Sequence, residues 1–595
     1  MKLVLKYFSA ILSIIYSSEP NKVTGEKDVV QTGNVKLITY FKGISLTTNQ
    51  LLVLTCCYIA LILNIPFLMK TASAITILEN YNVLFLLSLP IFLLSLTIII
   101  QGVISFRWVT KPILIATVLC SSLIFYGTIT YGIVFDYGMV QNTIETDTAE
   151  ALSYINLHAV LFFLIFGVIP SFIIYSIKLT YKSFFKELLS RVKLLGLSIG
   201  SVLLISLFFY SNYASVGRNN KDLIGYIIPY KMMDASFKFI QNHYFYTPLE
   251  FRVLDTSPSI ERNNQRKHVT VMVLGETARA KSFSLNGYEK PTNQYTEKQG
   301  VVSFSNMSSC GTATAVSVPC MFSRLNKQNY NKRDATAQQN VVDLIHLAGA
   351  DVLWISNNNG SCKGVCARVK TQKIDTNIAN PLCDGEYCYD EALLKPLSDK
   401  LNKLTHKNTL IVLHMIGSHG PTYFKRYPKD KRIFTPDCQQ SDIQNCSEEQ
   451  LVNTYDNTIA YTDLVLSKII NKLSQLANKE NIETSLLYIS DHGESLGESG
   501  VYLHGLPYAF APNEQTHIPM IYWADPMQSD FDLGCLNSVA KYPITHDNVF
   551  DTLLSIMSVK TKVYNAENDP FIQCKSQGAI ARINRPTPLE TEREY

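Results

Sequence analysis

Charge is what the first third of this 595-residue sequence lacks. Residues 1–211 hold 14 Lys+Arg and 9 Asp+Glu, whereas the rest of the chain holds 39 and 40, almost twice the density. The formal net charge of +4 therefore divides into +5 on the sparse part and −1 on the dense part. Such a division excludes a uniformly water-soluble protein. The dense part has no basic excess, which argues against nucleic-acid binding, because phosphates need neutralising cations. The length exceeds one ordinary domain, since roughly 100–200 residues per domain gives at least two or three units.

Five stretches of the sparse part contain no Asp, Glu, Lys or Arg: residues 43–69, 80–106, 112–135, 151–177 and 194–217. About 20 apolar residues span a bilayer, so each stretch can hold one transmembrane helix. The third connecting loop, Asp136 to Glu150, has no basic residue, and the first has only Lys70. By contrast, the N-terminal tail, the loop with Arg107 and Lys111, and the loop from Lys178 to Lys193 are basic. Basic loops stay in the cytoplasm, so five crossings place everything after about Arg218 outside. The apolar run Phe8–Tyr16 is too short to span, and no small-residue cleavage site follows it, which favours an interfacial helix over a removed signal peptide. The chain thus reads as a cytoplasmic extension (1–42), a five-helix transmembrane domain (43–217), an aromatic-rich bridging segment along the membrane surface (218–265) and an outer domain (266–595).

Cys56, Cys57 and Cys120 fall in the spans, and the other ten cysteines fall in the outer part, an even number that suits an oxidising compartment. Cys310/Cys320, Cys362/Cys366, Cys383/Cys388 and Cys438/Cys446 lie close in sequence and read as disulfides, which leaves open whether Cys535 and Cys574 pair. No second Cys pair or His stands at zinc-finger spacing from Cys362 and Cys366.

From His268 onward, short β-branched runs alternate with helical patterns. Strands are expected at Val269–Leu274, Asp351–Ile355, Thr409–His414, Ser485–Ser490 and Ile518–Trp523, with helices at Val341–Leu347, Glu391–Leu404, Val452–Leu476 and His546–Ser558. This alternation predicts an α/β domain with a mostly parallel sheet, whose ligands bind beyond the carboxyl ends of the strands. Three of the strands run into Gly275–Arg279, His414–Pro421 and Asp491–Ser495, clusters rich in carboxylate and imidazole. Glu276, Asp491 and His492 are suited to hold zinc and to leave one position open. The run Ser309–Cys320 passes from a Gly-containing turn into a helix start. There a hydroxyl would meet unpaired N–H groups and the helix dipole, and beside a metal it becomes a nucleophile for a phosphate. Thr312, Thr314 and Ser317 would serve equally as caps and turn residues, and their spacing does not choose.

Together, Gly275–Arg279, Phe283–Tyr288, Ser309–Ser323, Lys363–Val365, Gly417–Pro421, Tyr455–Asn457 and Ser490–Gly505 resemble the lipid A phosphoethanolamine transferases, a family that includes the colistin-resistance enzymes. The resemblance implies an alkaline-phosphatase/sulfatase-like domain on a membrane anchor. It makes Glu276, Thr314, Asp491 and His492 the zinc site, with Thr314 the nucleophile, and it makes His419, His504 and Lys363 the groups that hold the phosphate or a second metal. In the family, the position of Asn142, Thr146 and Glu150, which recur every four residues in the third loop, helps to hold the lipid head group. Met415-Ile416 departs from the family's Gln-Met, Gly360 stands where a Ser is often found, and the N-terminal 40 residues have no counterpart.

The implied reaction is a ping-pong transfer at the Gram-negative inner membrane, with the catalytic domain in the periplasm. Zinc-bound Thr314 takes phosphoethanolamine from phosphatidylethanolamine and passes it to a lipid A phosphate, with His419 or His504 as acid or base. The added amine lowers the negative charge of lipid A, hence resistance to polymyxin, colistin and cationic peptides. Transfer to a lipopolysaccharide core sugar, a phosphoglycerol transferase and a non-catalytic lipid sensor are the rival readings. A sulfatase is disfavoured because no Cys/Ser-x-Pro-x-Arg setting surrounds the nucleophile.

Overall fold

The computed structural model describes residues 44–76, 82–146, 151–358 and 362–575, apart from 153, 248, 263–265, 378, 442 and 481. The run Phe8–Tyr16, Glu150 and Gly360 lie outside these residues. The apolar N-terminal part folds as helices α1 (Thr48–Tyr58), α2 (Ile65–Thr76), α3 (Val83–Ile104), α4 (Thr110–Tyr131), α5 (Tyr137–Glu145), α6 (Leu157–Ser176, with a π turn at Leu164–Val168) and α7 (Phe184–Asn219). Among the described residues, four helices are long and apolar enough to cross a membrane. There are five if Thr48–Leu63 and α2 form one span bent by 57°.

That bend has a local cause. Asn64 leaves the helical conformation just before Pro66, which cannot donate a backbone hydrogen bond. The Asn64 amide donates to the Ile59 carbonyl (2.9 Å) and the Ile228 carbonyl (2.7 Å), and its oxygen accepts from the Ile228 N–H (2.8 Å). The break is thereby satisfied and tied to the chain beyond the bundle. The basic stretch expected as a loop up to Lys193 is helical from Phe184, and it buries Glu187 and Arg191. Helix α4 ends at Gly132, whose φ of +72° is open to glycine. A Cβ there would lie 3.2 Å from the Gly500 carbonyl oxygen and 3.4 Å from Val501 Cα, so the bundle meets the outer domain almost backbone to backbone.

After α8 (Tyr230–Ile240), the outer domain is built on one eight-stranded sheet. Its strands are β1 (His268–Gly275), β2 (Val302–Ser308), β3 (Asp351–Ser356), β4 (Lys370–Lys373), β5 (Asn408–His414), β6 (Glu483–Ser490), β7 (His517–Ala524) and β8 (Ile544–Thr545), in the order β8-β2-β7-β6-β1-β5-β3-β4. Only β7 runs against its neighbours β6 and β2, and the other pairings are parallel. The five expected strands are present to within two residues at each end, and β2, β4 and β8 were not foreseen. In β4, all four residues (KTQK) are exposed, so no apolar alternation marks it.

The period of two divides the core. Met272, Leu274, Val352, Trp354, Leu410, Val412, Leu487 and Ile489 face helices α11 (Val341–Leu347) and α14 (Val549–Ile556), numbered after α9 (Thr314–Met321), α10 (Lys332–Thr336), α12 (Leu394–Leu401) and α13 (Glu448–Glu480) are counted in chain order. Val269, Val271, Val273, Ile411, Leu413, Leu486 and Tyr488 face α12 and α13 on the other side. With both faces covered, β1, β5 and β6 are buried along their whole length. Their carboxyl ends all open on the same edge.

All five disulfides form: Cys310–Cys320, Cys362–Cys366, Cys383–Cys388, Cys438–Cys446 and Cys535–Cys574. The last joins residues 39 apart, the others residues 4 to 10 apart. Loop-closure entropy makes the long bridge worth about 4 kcal/mol and a bridge as short as Cys362–Cys366 about 2 kcal/mol. Replacing Cys535 and Cys574 by Ser is therefore expected to lower the melting temperature of the purified protein more than replacing Cys362 and Cys366. Equal or reversed shifts would contradict this ordering.

Candidate functional site

The site begins where β1 stops. Gly275 must be small, because a Cβ there would lie 2.6 Å from the Tyr488 ring. Glu276 follows, fully buried, and its carboxylate accepts from Thr277 Oγ1 (2.7 Å), Asn358 Nδ2 (2.7 Å) and Thr314 Oγ1 (3.0 and 3.2 Å). Thr277 holds a φ of +57°, costly for a β-branched residue. Its N–H donates to Asp491 Oδ1 (3.0 Å) and its carbonyl accepts from Tyr455 Oη (2.7 Å), so the surroundings fix this conformation.

Strand β6 delivers the second half. Asp491 Oδ1 accepts the N–H groups of Thr277 and His492, while Oδ2 is buried without a hydrogen-bond partner among the described residues. His492 Nδ1 donates to the Gly493 carbonyl (2.9 Å), which turns Nε2 toward Thr314 Oγ1 (3.3 Å), Glu276 Oε1 (3.4 Å) and Asp491 Oδ2 (3.4 Å). One ligand atom from each of Glu276, Asp491 and His492 lies within 4.8 Å of the others, all buried. Two carboxylates and one imidazole, with one carboxylate oxygen unpartnered, fit a divalent cation of the zinc type. With protons as the only counter-charge, the three groups titrate far from their usual ranges. Burial and then the Glu276 charge push Asp491 up to about 7. Burial opposes the charge on His492, but Asp491 and Glu276 outweigh it and raise the imidazole to about 10. Burial likewise opposes the charge on Glu276, yet the His492 hydrogen bond and the nearby histidines hold its carboxyl well below the carboxylate range.

Thr314 is the first residue of α9 and follows Ala313, an extended N-cap with no side-chain cap of its own. The hydroxyl therefore stands where the helix dipole favours an anion. Of the other hydroxyls in this run, Thr312 Oγ1 is engaged with the Leu506 carbonyl (2.6 Å). The loop that leads into Thr314 is pinned by His546, whose Nδ1 accepts from Cys310 N–H (3.0 Å) and whose Nε2 donates to the Ser490 carbonyl (3.0 Å). Burial lowers this imidazole to about 3, so the pin is neutral at any working pH. Cys310 and Cys320 also lie near Asp547, but their sulfurs are bonded to each other and cannot ligate a metal.

Two more histidines join the cluster. The His504 ring lies 4.4 Å from that of His492 and 5.6 Å from that of His419, centroid to centroid. His504 Nδ1 donates to Glu494 Oε2 (2.8 Å), and Glu494 Oε1 accepts from Tyr423 Oη. His419 Nδ1 donates to the Gly420 carbonyl (2.9 Å). Lys363 sits in a left-handed turn (φ +50°) and pairs with Glu145 Oε2 at 3.5 Å. The structure thus gathers Glu276, Thr314, Asp491, His492, His419 and His504, while Lys363 is joined to α5.

The expected helix face of Asn142, Thr146 and Glu150 needs correction. Helix α5 ends at Glu145, and Thr146 is extended (φ −66°, ψ 133°). Thr146 N–H and Oγ1 both donate to the Asn142 carbonyl (2.8 and 2.7 Å), which closes the helix instead of continuing it. Gln141 ties α5 to α9, donating to the Ala315 carbonyl (3.4 Å). The sequence reading missed Asn358, Glu494, Tyr423, Glu145 and Lys332. Asn358 was reachable: the rule that ligands gather at strand ends applies to β3 as well, and two residues past Ser356 stands Asn358. Its amide also donates to the Met415 carbonyl (3.1 Å), so it orients Glu276 from a fixed base. Asn358→Ala is expected to weaken zinc binding 10–100-fold with little change in melting temperature, measured by chelator competition. Unaltered affinity would leave Asn358 without this role.

Comparison with known proteins follows the two halves. The family model described as Sulfatase matches residues 268–559, and that described as Phosphoethanolamine transferase EptA/EptB matches residues 93–244. The Phosphoethanolamine transferase EptA of Escherichia coli K12 is 40% identical over 539 residues, 89% of this chain and 98% of the relative. The Phosphatidylethanolamine transferase Mcr-1 of Escherichia coli is 36% identical over 508 residues, 83% and 92% of the two chains. The solved structure of the integral membrane lipooligosaccharide phosphoethanolamine transferase A of Neisseria meningitidis superposes with a TM-score of 0.84 at 34% identity, covering 89% of this chain and 99% of that one. A sulfatase-like domain whose strand ends converge on a buried threonine, joined to a matching membrane half, places this chain in the phosphoethanolamine transferase family.

Proposed function

We propose that the protein moves phosphoethanolamine from phosphatidylethanolamine to a phosphate of lipid A through a covalent intermediate on Thr314. The observation that carries this reading is the placement of Thr314 Oγ1. It starts a helix, donates to Glu276 and lies 3.3 Å from His492 Nε2 inside a buried cluster suited to a metal. The Neisseria relative is by name a lipooligosaccharide phosphoethanolamine transferase, which supports a lipid A-type acceptor over a phosphoglycerol substrate.

Glu276, Asp491 and His492 would hold Zn²⁺, whose positive charge would make a neighbouring hydroxyl easier to deprotonate. Thr314 Oγ1 passes its proton to the Glu276 carboxylate, to which it donates, and attacks the phosphorus, and the bond from phosphorus to the glycerol oxygen breaks. The departing diacylglycerol oxygen takes a proton from His504 or His419, whose anchored Nδ1 atoms direct proton exchange through Nε2. Phosphoethanolamine now sits on Thr314. An oxygen of the acceptor phosphate then attacks the same phosphorus, and Thr314 Oγ1 leaves and regains a proton. The N-terminal N–H groups of α9 face the phosphoryl oxygens in both steps. His419, His504 and Lys363 serve the phosphate or a second metal, and Asn142 and Thr146 with Glu150 serve the head group.

The same reading counts the bent helix pair as one of five spans in residues 43–217, with residues 1–42 cytoplasmic, 218–265 bridging and 266–595 periplasmic. The inner membrane of a Gram-negative cell is the site of action. Support comes from the basic loops on one side and from five disulfides in the outer domain, which suit an oxidising compartment. Exposed Phe237, Tyr244 and Phe245 after the last span suit contact with lipid. The product carries an added amine, so cells making it bind cationic peptides more weakly.

Incubating the protein with phosphatidylethanolamine should add one phosphoethanolamine mass to the peptide containing Thr314, read by mass spectrometry. Thr314→Ala should abolish the adduct and lower transfer on the order of 10³-fold or more, and an adduct that persists on another residue would refute the assignment. Chelation should also prevent adduct formation, and zinc should restore it. Full activity in stripped protein would remove the metal from the mechanism.

A further inference from the structure

Asp390 is buried behind the site, just past the Cys383–Cys388 bridge, and both of its carboxylate oxygens are engaged. Oδ1 accepts from Asn357 Nδ2 (2.8 Å) and Ile416 N–H (2.9 Å), and Oδ2 accepts from Gly417 N–H (2.9 Å). Successive N–H groups that turn to one side form a concavity for an anion. Gly417 makes this turn with a φ of +51°, which glycine adopts without a Cβ penalty. A lone carboxylate in so dry a place would be costly. Three hydrogen bonds satisfy it, and the charge of buried Arg426 reaches it.

Arg426 grips the other end of the same loop. Its Nε donates to the His419 carbonyl (2.8 Å) and its Nη2 to Thr422 Oγ1 (3.0 Å), while the guanidinium lies 4.3 Å from the Tyr387 ring centroid. The loop Ile416–His419 is thus held by its N–H groups at one end and by a carbonyl at the other.

Each group that Asp390 holds stands one step from Glu276. Asn357 precedes Asn358, whose amide donates to Glu276 Oε2 (2.7 Å). A Cβ on Gly417 would lie 2.5 Å from the Glu276 carbonyl oxygen, and Ser418 N–H donates to that oxygen (3.0 Å). One carboxylate therefore locks the ends of β3 and β5 together, and both press on the residue that ends β1.

Resting on the metal-assisted transfer read above, we propose that Asp390 is a positioning residue for the reaction. Through Asn357 and the Ile416–Gly417 amides it keeps Glu276 in register with Asp491 and His492, as a shared cation requires. With Arg426 it keeps His419 beside the same cluster.

Asp463 supplies the comparison. It is likewise buried and likewise accepts from two successive N–H groups, those of Tyr295 (2.8 Å) and Thr296 (3.3 Å), none of which belongs to the site. An amide in place of the Asp390 carboxylate keeps its shape but turns an NH₂ group toward an N–H donor. Asp390→Asn is therefore expected to weaken zinc binding about 10–100-fold in chelator competition. It should also alter the visible absorption of the cobalt(II)-loaded protein, which reports ligand geometry directly. Asp463→Asn should lower the melting temperature and leave zinc affinity and the cobalt spectrum as in the wild type. Asn357→Ala, which removes one arm and keeps the carboxylate, should shift both readouts in the same direction by less. Wild-type zinc affinity and cobalt spectrum in folded Asp390→Asn overturn the proposal, as does an equal loss in Asp463→Asn. If Asp390→Asn does not fold, the same two readouts in Asn357→Ala decide, and unchanged values there overturn it. A wild type that binds no zinc would sink the metal reading itself, and the role of Asp390 with it.

Discussion

Two carboxylates that converge in a dry site impose the central constraint on this molecule. Glu276 and Asp491 leave neighbouring parallel strands at the same level, and water reaches neither. Left alone, such a pair is strongly repulsive. The fold answers with a cation-seeking geometry: His492 Nε2 beside both, backbone N–H groups on one Asp491 oxygen, and Thr314, Thr277 and Asn358 on Glu276. Much of the surrounding detail follows from keeping these few atoms still. The left-handed Thr277, the close packing of Gly417 on the Glu276 backbone and the neutral His546 pin serve positions that a small displacement would undo.

The architecture was legible because burial writes itself into the sequence. Strands covered on both faces are near-continuous apolar runs, so β1, β3, β5, β6 and β7 could be read directly. The exposed edge strand β4 carries no such pattern, and two-residue β8 is too short to show one. The helix starts were harder. Phe184–Lys193 is charged enough to read as a loop, yet it is helical because α7 carries its Glu187 and Arg191 inward, where Thr48 Oγ1 bonds Glu187 (2.8 Å).

The site was legible at strand ends and illegible elsewhere. Glu276, Asp491 and His492 follow strands in sequence, so their convergence is a property of parallel topology. Glu145 and Lys332 meet across two domains, and nothing in their local sequence announces it. The four-residue spacing of Asn142, Thr146 and Glu150 suggested one helix face, but a threonine bonding back to the preceding turn ended the helix. Periodicity names a face only while the backbone remains helical.

Gly132 gives the membrane half a further meaning. Because the end of α4 abuts the Gly500–Val501 backbone, with only the Val501 side chain beside the contact, little compressible material separates the bundle from the segment that leads to His504. If α4 crosses the bilayer, its length works as a ruler between the membrane and the histidine cluster. A bilayer that thickens or thins would then have to tilt this helix or lift the histidine cluster, so lipid thickness would enter the geometry of the site.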